Sequence, residues 1–303
     1  MHRVAKEVKV LVLTTSTATE IAYRVASKLN VPIEVLVTHY FPNGQIEVVP
    51  PKSNTHVDEV CLFQSFPDRV NDRLIELLLA LQAVRILKPR HLTIVLPYLP
   101  YTRSDKPVST GALLPFSAIA HLIEQPCMTR LVTAELHVPQ LAVAFRCPVV
   151  EIDTMPMFAQ YLRQSDLGSV VVVSPDLGGA KRAERLAAEL HVPVAVMRKI
   201  RHGNVKESIE ILGQVKGKCA VIVDDEVNSG ESLISAAKLT LSAGATSAIA
   251  VAVHPLFTLE AIHRIEQSPL QHVLVSDSVP LTSVATNKIE VLSLTEILAE
   301  MLH

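Results

Sequence analysis

The feature that most limits what this chain can fold into is an alternation of two patterns. Short runs of β-branched and apolar residues are each followed by a stretch whose apolar residues return every three or four positions. "VKVLVL" (8–13), "EVCLFQS" (59–65) and the start of "HLTIVLPYLPY" (91–101) read as strands. "SVVVVS" (169–174), "CAVIVDD" (219–225), "SAIAVAVH" (247–254) and "HVLVSD" (272–277) are near-continuous apolar runs. Strands that apolar are buried on both faces, as in a parallel sheet covered by helices. Between them, "TATEIAYRVASKLN" (17–30), "VNDRLIELLLALQAVRIL" (70–87), "GGAKRAERLAAEL" (178–190) and "SGESLISAAKLTLSAGA" (229–245) read as helices, the last stopping at Gly244 as a left-handed cap. The predicted class is α/β. A chain of 303 residues suits two domains, placed at 1–150 and 151–303 with the boundary near "CPVVEIDTMP". No direct repeat or low-complexity segment interrupts this plan.

Composition removes several functional classes. Hydrophobic residues make up 49% and charged residues 19%, which fills a large core and excludes general disorder. The net charge of -2 gives no general attraction to nucleic acid or to an anionic membrane. The basic residues cluster only locally, at "MRKIRHGNVK" (197–206). Cys61, Cys127, Cys147 and Cys219 form no C-x-x-C pair, so they read as buried free thiols in a reducing cytoplasm rather than as a zinc site. The start of the chain lacks a signal-peptide pattern, and no apolar run nears the ~18 residues of a membrane span. A soluble, cytoplasmic protein is expected.

One stretch asks for chemistry. In "VIVDDEVNSGES" (221–232) an apolar strand runs into Asp224 and Asp225, then a short turn opens a helix. Open parallel sheets bind ligands beyond the carboxyl ends of their strands. A helix start offers unpaired N–H groups and the positive end of its dipole to a phosphate. Ser229 and Ser232 add hydroxyl donors, and Gly230 lets the backbone come close. The two carboxylates repel phosphate but suit sugar hydroxyls, directly or through a divalent cation. The combined inference is a sugar phosphate. The plain alternative is a helix capped by a serine, with two solvated acids before it.

The stretch resembles the PRPP-binding loop of type I phosphoribosyltransferases and of ribose-phosphate pyrophosphokinases (PRPP synthetases). Further segments, in matching order, resemble the pyrophosphokinases. "FPNGQIEV" (41–48) is similar to their F-x-N/D-G-E hairpin, and "QSFPDRVNDRLIELLLALQAVR" (64–85) to their Q-S-x-x-x-P-V-N-D-x-L-M-E-L-L helix. "LPYLPYTRSDK" (96–106) resembles P-Y-x-x-Y-A-R-Q-D-K, and "ELHVPQLAVAFRCPV" (135–149) resembles D-L-H-x-x-Q-I-Q-G-F-F-x-x-P-V. "VVVSPDLGGAKRAERLAAEL" (171–190), "GQVKGKCAVIVDDE" (213–226) and "VSDSVP" (275–280) complete the set.

The resemblance implies two tandem phosphoribosyltransferase-like (type I) domains, each a mostly parallel sheet flanked by helices. It implies a dimer-based homo-oligomer, often a hexamer, that uses Mg2+ to move pyrophosphate from ATP to ribose 5-phosphate. By this resemblance Asp224 and Asp225 hold the ribose hydroxyls, and Asn228, Ser229, Gly230 and Ser232 the 5-phosphate. Lys199 and Arg201 belong to a mobile catalytic loop that closes over the transferred phosphates. Asp176 and His137 serve the metal. Arg103, Ser104 and Asp105 meet ATP, while Phe41, Asn43 and Gln45 reach the adenine of a neighbouring subunit.

The departures from the family pattern fall mostly on the ATP side: Gln45 for glutamate, Ser104 for glutamine, Glu135 for aspartate, and "AVAF" (142–145) for Q-G-F-F. Pro107 follows Lys106, and "LLPFSAIAHLI" (113–123) lacks a lysine the family carries. In the sugar-phosphate loop Asn228 stands for an aspartate and Glu231 for a glycine. Three readings follow: a divergent active pyrophosphokinase, a catalytically weak paralogue that binds ribose phosphates or regulates an active subunit, and a phosphoribosyltransferase.

Overall fold

A computed structural model describes residues 8–52, 57–104, 109, 114–124, 128–202, 205–281 and 286–302, with the backbone alone at 8, 199, 201–202 and 205–208. The chain divides into two compact units. One comprises 1–152, 278–280 and 294–303, the other 153–277 and 281–293.

The first unit runs β1 (Val8–Thr14), α1 (Thr19–Leu29), β2 (Ile33–Val35), β3 (Thr38–Tyr40), β4 (Ile46–Val48), β5 (Val57–Phe63), α2 (Val70–Val84), β6 (His91–Val95), α3 (Pro115–Ile123), β7 (Met128–Ala134) and β8 (Val149–Ile152). Its main sheet has the order β2-β1-β5-β6-β7-β8, and every pairing in it is parallel. β3 and β4 form a separate antiparallel hairpin. The helices bury the faces their periodicity marks out: Ile21, Ala22, Val25 and Ala26 on α1, and Leu74, Leu77, Ala80, Leu81 and Val84 on α2.

The second unit runs α4 (Met155–Arg163), β9 (Val170–Ser174), α5 (Ala180–Leu190), β10 (Val194–His202), β11 (Val205–Leu212), β12 (Cys219–Val227), α6 (Glu231–Ser242), β13 (Ser247–Pro255), α7 (Leu259–Glu266), β14 (Val273–Ser276) and β15 (Ile289–Leu292). Its order is β11-β10-β9-β12-β13-β14-β15, parallel except for the antiparallel edge pair β10–β11. Val171, Val173, Ile222, Ala250 and Val275 are buried in one cluster with Leu233, Ala236 and Ala237 of α6. Gly244, at φ +94°, ends α6 as expected, with its own N–H bonded to Leu241 O and that of Ala245 to Thr240 O.

A final helix, α8 (Thr295–Leu302), returns to the first unit. It packs on α1, where Lys28 Nζ lies 2.6 Å from Glu296 Oε2, and Arg130 Nη1 donates to Met301 O at 3.2 Å. Nothing local to residues 294–302 says which core will receive them.

Cys61 and Cys219 are buried free thiols, and Cys147 is half-buried. Burial, then the nearby Glu59 charge, pushes Cys61 up to about 12, and burial likewise raises Cys147 to about 11, so neither is a ready nucleophile. Cys127 lies outside the described residues.

Candidate functional site

β9 and β12 are hydrogen-bonded neighbours running the same way, in register from Val170 opposite Cys219 to Val173 opposite Ile222. β9 ends at Ser174 while β12 runs on to Val227, so Asp224 and Asp225 extend past the end of the strand that leads into "PDLGG", at the carboxyl end of the sheet. Asp224 is half-buried and Asp225 buried. Asp225 N–H donates to Asp224 Oδ1 at 2.9 Å. Asp225 Oδ1 faces Arg182 Nη1 at 3.7 Å, and both side chains are almost fully buried. Burial comes first in raising Asp224, followed by the hydrogen bond and charge of Asp225; Arg182 opposes them, and the carboxyl stands at about 7. Arg182 already meets the charge of Asp225, and a hydroxyl donor or a second cation is what would meet that of Asp224.

Helix α6 begins a short turn after β12. Its N-cap is Gly230, in the left-handed region at φ +76°, and no side chain caps it. A side chain at 230 would be strained by that φ and would also crowd Ile265 Cγ1, 3.3 Å from the position of a Cβ. This corrects the alternative in which a serine caps the helix. Ser229 Oγ only accepts a long 3.4 Å bond from Glu231 N–H. The helix thus presents its first-turn N–H groups at the sheet's end, flanked by exposed Asn228 and Ser232 and half-buried Ser229. The carboxylate of Glu231 is drawn to Arg264 Nη1 at 2.8 Å.

Asp176 follows β9. It is exposed, and its Oδ1 accepts the Gly179 N–H at 2.9 Å while its carbonyl accepts from Ser174 Oγ at 2.7 Å. Its carboxylate therefore also braces the turn into α5. The basic segment read as a loop is a β-hairpin arm: Lys199 and Arg201 have their backbones on β10, with Lys199 opposite Ile209 and an irregularity between Ile200 and His202. The alternating β-branched residues of Val205–Leu212 explain why a second strand pairs there.

In the first unit the expected residues lie on exposed or half-buried ground. Phe41, Asn43 and Gln45 form the exposed turn between β3 and β4. Phe41 is 46% exposed, so it is no core residue. Arg103 is exposed in the segment after β6, and Ser104 N–H bonds to Tyr101 O at 3.0 Å. Just before them lies an open cleft of about 570 Å³, lined by Arg69, Val70, Asn71, Asp72, Tyr98, Pro100 and Tyr101. Tyr101 closes part of it by donating its hydroxyl to Asn71 Oδ1. Asp105 lies outside the described residues. His137 is half-buried after β7, where Glu135 adopts φ +34° and Leu136 N–H bonds to Glu151 Oε1 at 2.8 Å.

Arg182 is not among the residues that the sequence motifs marked out. The signal was present: Arg182 sits one turn before Leu186 on the apolar stripe of α5, where a charge demands a buried partner. Among the described residues no group of three or more His, Cys, Asp or Glu side chains is arranged to hold a metal ion. His137 belongs to the first unit and Asp176 to the second.

Comparisons with known proteins agree with this architecture. A family model described as the N-terminal domain of ribose phosphate pyrophosphokinase matches residues 10–126, and one described as a phosphoribosyl synthetase-associated domain matches 199–303. Ribose-phosphate pyrophosphokinase 1 of Listeria monocytogenes serovar 1/2a is 31% identical over 96% of this chain and 92% of its own. The ribose-phosphate pyrophosphokinase of Clostridium acetobutylicum is 33% identical over 87% of this chain and 83% of its own. The crystal structure of phosphoribosylpyrophosphate synthetase from Mycobacterium smegmatis superposes with a TM-score of 0.89, at 28% identity, covering 97% of each chain. With the sheet-end carboxyl pair and the matches spanning almost its whole length, this chain belongs to the ribose-phosphate pyrophosphokinase family.

Proposed function

We propose that this protein is a Mg2+-dependent ribose-phosphate pyrophosphokinase, moving the β,γ-pyrophosphoryl group of ATP to the 1-hydroxyl of ribose 5-phosphate and releasing AMP. The observation that carries the reading is the Asp224–Asp225 pair near the carboxyl end of β12, followed after a short turn by α6 with no capping side chain at Gly230. Relatives named ribose-phosphate pyrophosphokinase over nearly the full chain support it.

Asp224 and Asp225 accept hydrogen bonds from the ribose hydroxyls, and Arg182 holds Asp225 in place for this. Asn228, Ser229, Gly230, Ser232 and the first-turn amides of α6 bind the 5-phosphate. Lys199 and Arg201 meet the charge that grows on the transferred phosphates. Arg103, Ser104, Asp105 and His137 bind the nucleotide phosphates and their metal, while Phe41, Asn43 and Gln45 hold the adenine.

The donor chemistry fits a hard divalent cation: paired carboxyl oxygens, one of them held up at about 7 by its neighbour and by burial. In the second unit Asp176 would hold an ion together with the substrate's oxygens, and in the first unit His137 would serve the metal carried by the nucleotide. Bound there, magnesium supplies charge neutralisation for the phosphates. In this reading the hairpin residues act in a neighbouring subunit of a dimer-based homo-oligomer, assembled up to a hexamer. No helix among the described residues is long and apolar enough to cross a membrane, and we place the protein in the cytoplasm.

Incubation with ATP, ribose 5-phosphate and magnesium is expected to yield AMP and PRPP in equal amounts. Binding of ribose 5-phosphate without AMP release, across nucleotides and metals, would overturn activity in favour of the ribose-phosphate-binding paralogue. Consumption of PRPP with a free nucleobase would assign a phosphoribosyltransferase instead.

A further inference from the structure

Glu76 is a glutamate with no solvent exposure, placed on the apolar stripe of α2 between Leu74 and Leu77. A buried carboxylate is costly unless hydrogen-bonded, so its partners show what it holds. Its Oε1 accepts from Thr38 Oγ1 at 2.7 Å and, more weakly, from Ser16 Oγ at 3.5 Å. Its Oε2 accepts from Arg73 Nη1 at 3.2 Å. The same Nη1 donates to Tyr40 Oη at 2.8 Å, and Arg73 Nε and Nη2 both donate to Asp68 Oδ1 at 3.1 Å.

Thr38 and Tyr40 are the first and last residues of β3. Two positions apart on a strand, they share one face of the ribbon. A single ion pair on α2 therefore grips the β3–β4 hairpin at two points along that face. The hairpin has only three residue pairs of its own, Thr38–Val48, His39–Glu47 and Tyr40–Ile46. A two-stranded ribbon is marginal by itself, so its place depends on what it rests against. Its tip is internally braced: Phe41 N–H bonds to Gln45 O at 2.8 Å, Gly44 N–H to Phe41 O at 2.9 Å, and Gln45 N–H to Asn43 Oδ1 at 3.1 Å. A braced tip follows its base. An apolar residue at 76 would serve stability as well as a buried ion pair does, but would not fix the hairpin's geometry.

We propose that Glu76 and Arg73 are positioning residues that set the β3–β4 hairpin, and through it Phe41 and Asn43, for nucleotide binding. The inference rests on the reading that this hairpin meets the nucleotide. Glu76→Gln keeps the shape but loses the charge that holds Arg73. Thr38→Val removes one hydrogen bond from the hairpin side and leaves α2 untouched.

Both variants are expected to speed amide hydrogen exchange across 38–48 while β5 keeps its protection. Each is expected to raise the KM for ATP by about tenfold, the effect falling on ATP rather than on kcat or the KM for ribose 5-phosphate. Phe41→Ala separates the two layers of the claim. If Phe41→Ala leaves the ATP KM unchanged, the hairpin does not meet the nucleotide and the proposal falls with that reading. If Phe41→Ala raises it but Glu76→Gln and Thr38→Val do not, positioning is overturned while the reading survives. Should Glu76→Gln fail to fold, Thr38→Val decides alone.

Discussion

The carboxyl ends of the two sheets present their candidate residues in different ways. In the second unit, Asp224 and Asp225 belong to β12 itself, and Asp225 is held by buried Arg182 of α5. Their strand is laddered to β9 as far as Ile222 and to β13 along its whole length. In the first unit, Phe41, Asn43 and Gln45 stand on a hairpin outside the main sheet, and Arg103 and Ser104 on an irregular segment. Their place depends on side-chain tethers such as Glu76 to Thr38. The first kind of site tolerates little change. The second can drift, and departures from the family pattern fall there at Gln45 and Ser104.

The largest effect should come from the residue asked to act in the transition state. Lys199→Ala is expected to lower kcat by about a hundredfold or more while ribose 5-phosphate affinity is kept, measured by turnover and by calorimetry. Loss of affinity with turnover intact would move Lys199 from catalysis to binding, and would leave the second unit a purely binding site.

Next is the buried ion pair. Arg182→Met should destabilise the protein by about 3 kcal/mol, because it leaves Asp225 buried beside a second carboxyl. The double variant with Asp225→Leu should recover part of that loss in denaturant unfolding. If the single variant unfolds like the wild type, the claim that the second unit's site is fixed by burial breaks.

The smallest effect is a pH dependence. Asp224 sits at about 7 in the fold against an ordinary 3.8, so the folded protein keeps a proton there that the unfolded chain releases. The resulting stabilisation is complete below 3.8 and is lost as pH rises through about 7. Asp224→Asn cannot ionise, so it should melt a few degrees above the wild type near about pH 8 and converge with it near about pH 4, while binding ribose 5-phosphate more weakly. A constant gap in melting temperature across that range would remove the shifted carboxyl from the comparison.

Much of this was legible in the chain. The apolar runs at 8–13, 169–174, 219–225 and 247–254 became β1, β9, β12 and β13, and the helical periods became α1, α2, α5 and α6. The strand–acid–acid–turn–helix order placed a carboxyl pair at a sheet end because each step is local. Other features were not legible. Gly230, not a serine, caps α6, since the turn's dihedral choice depends on how the helix meets Ile265. The basic segment lies in a β-hairpin because Val205–Leu212 pairs back onto it.

What the sequence by itself determined was the class of fold, the order of its elements and the chemistry gathered at residues 224–232, all set by neighbours within a few positions. Only the tertiary structure decided that α8 returns to the first unit, that Arg182 faces Asp225, and that Glu76 grips β3. These pairings join residues far apart along the chain. They depend on which surfaces are buried together, and a buried charge reveals its partner only once the path of the backbone has brought the two within reach.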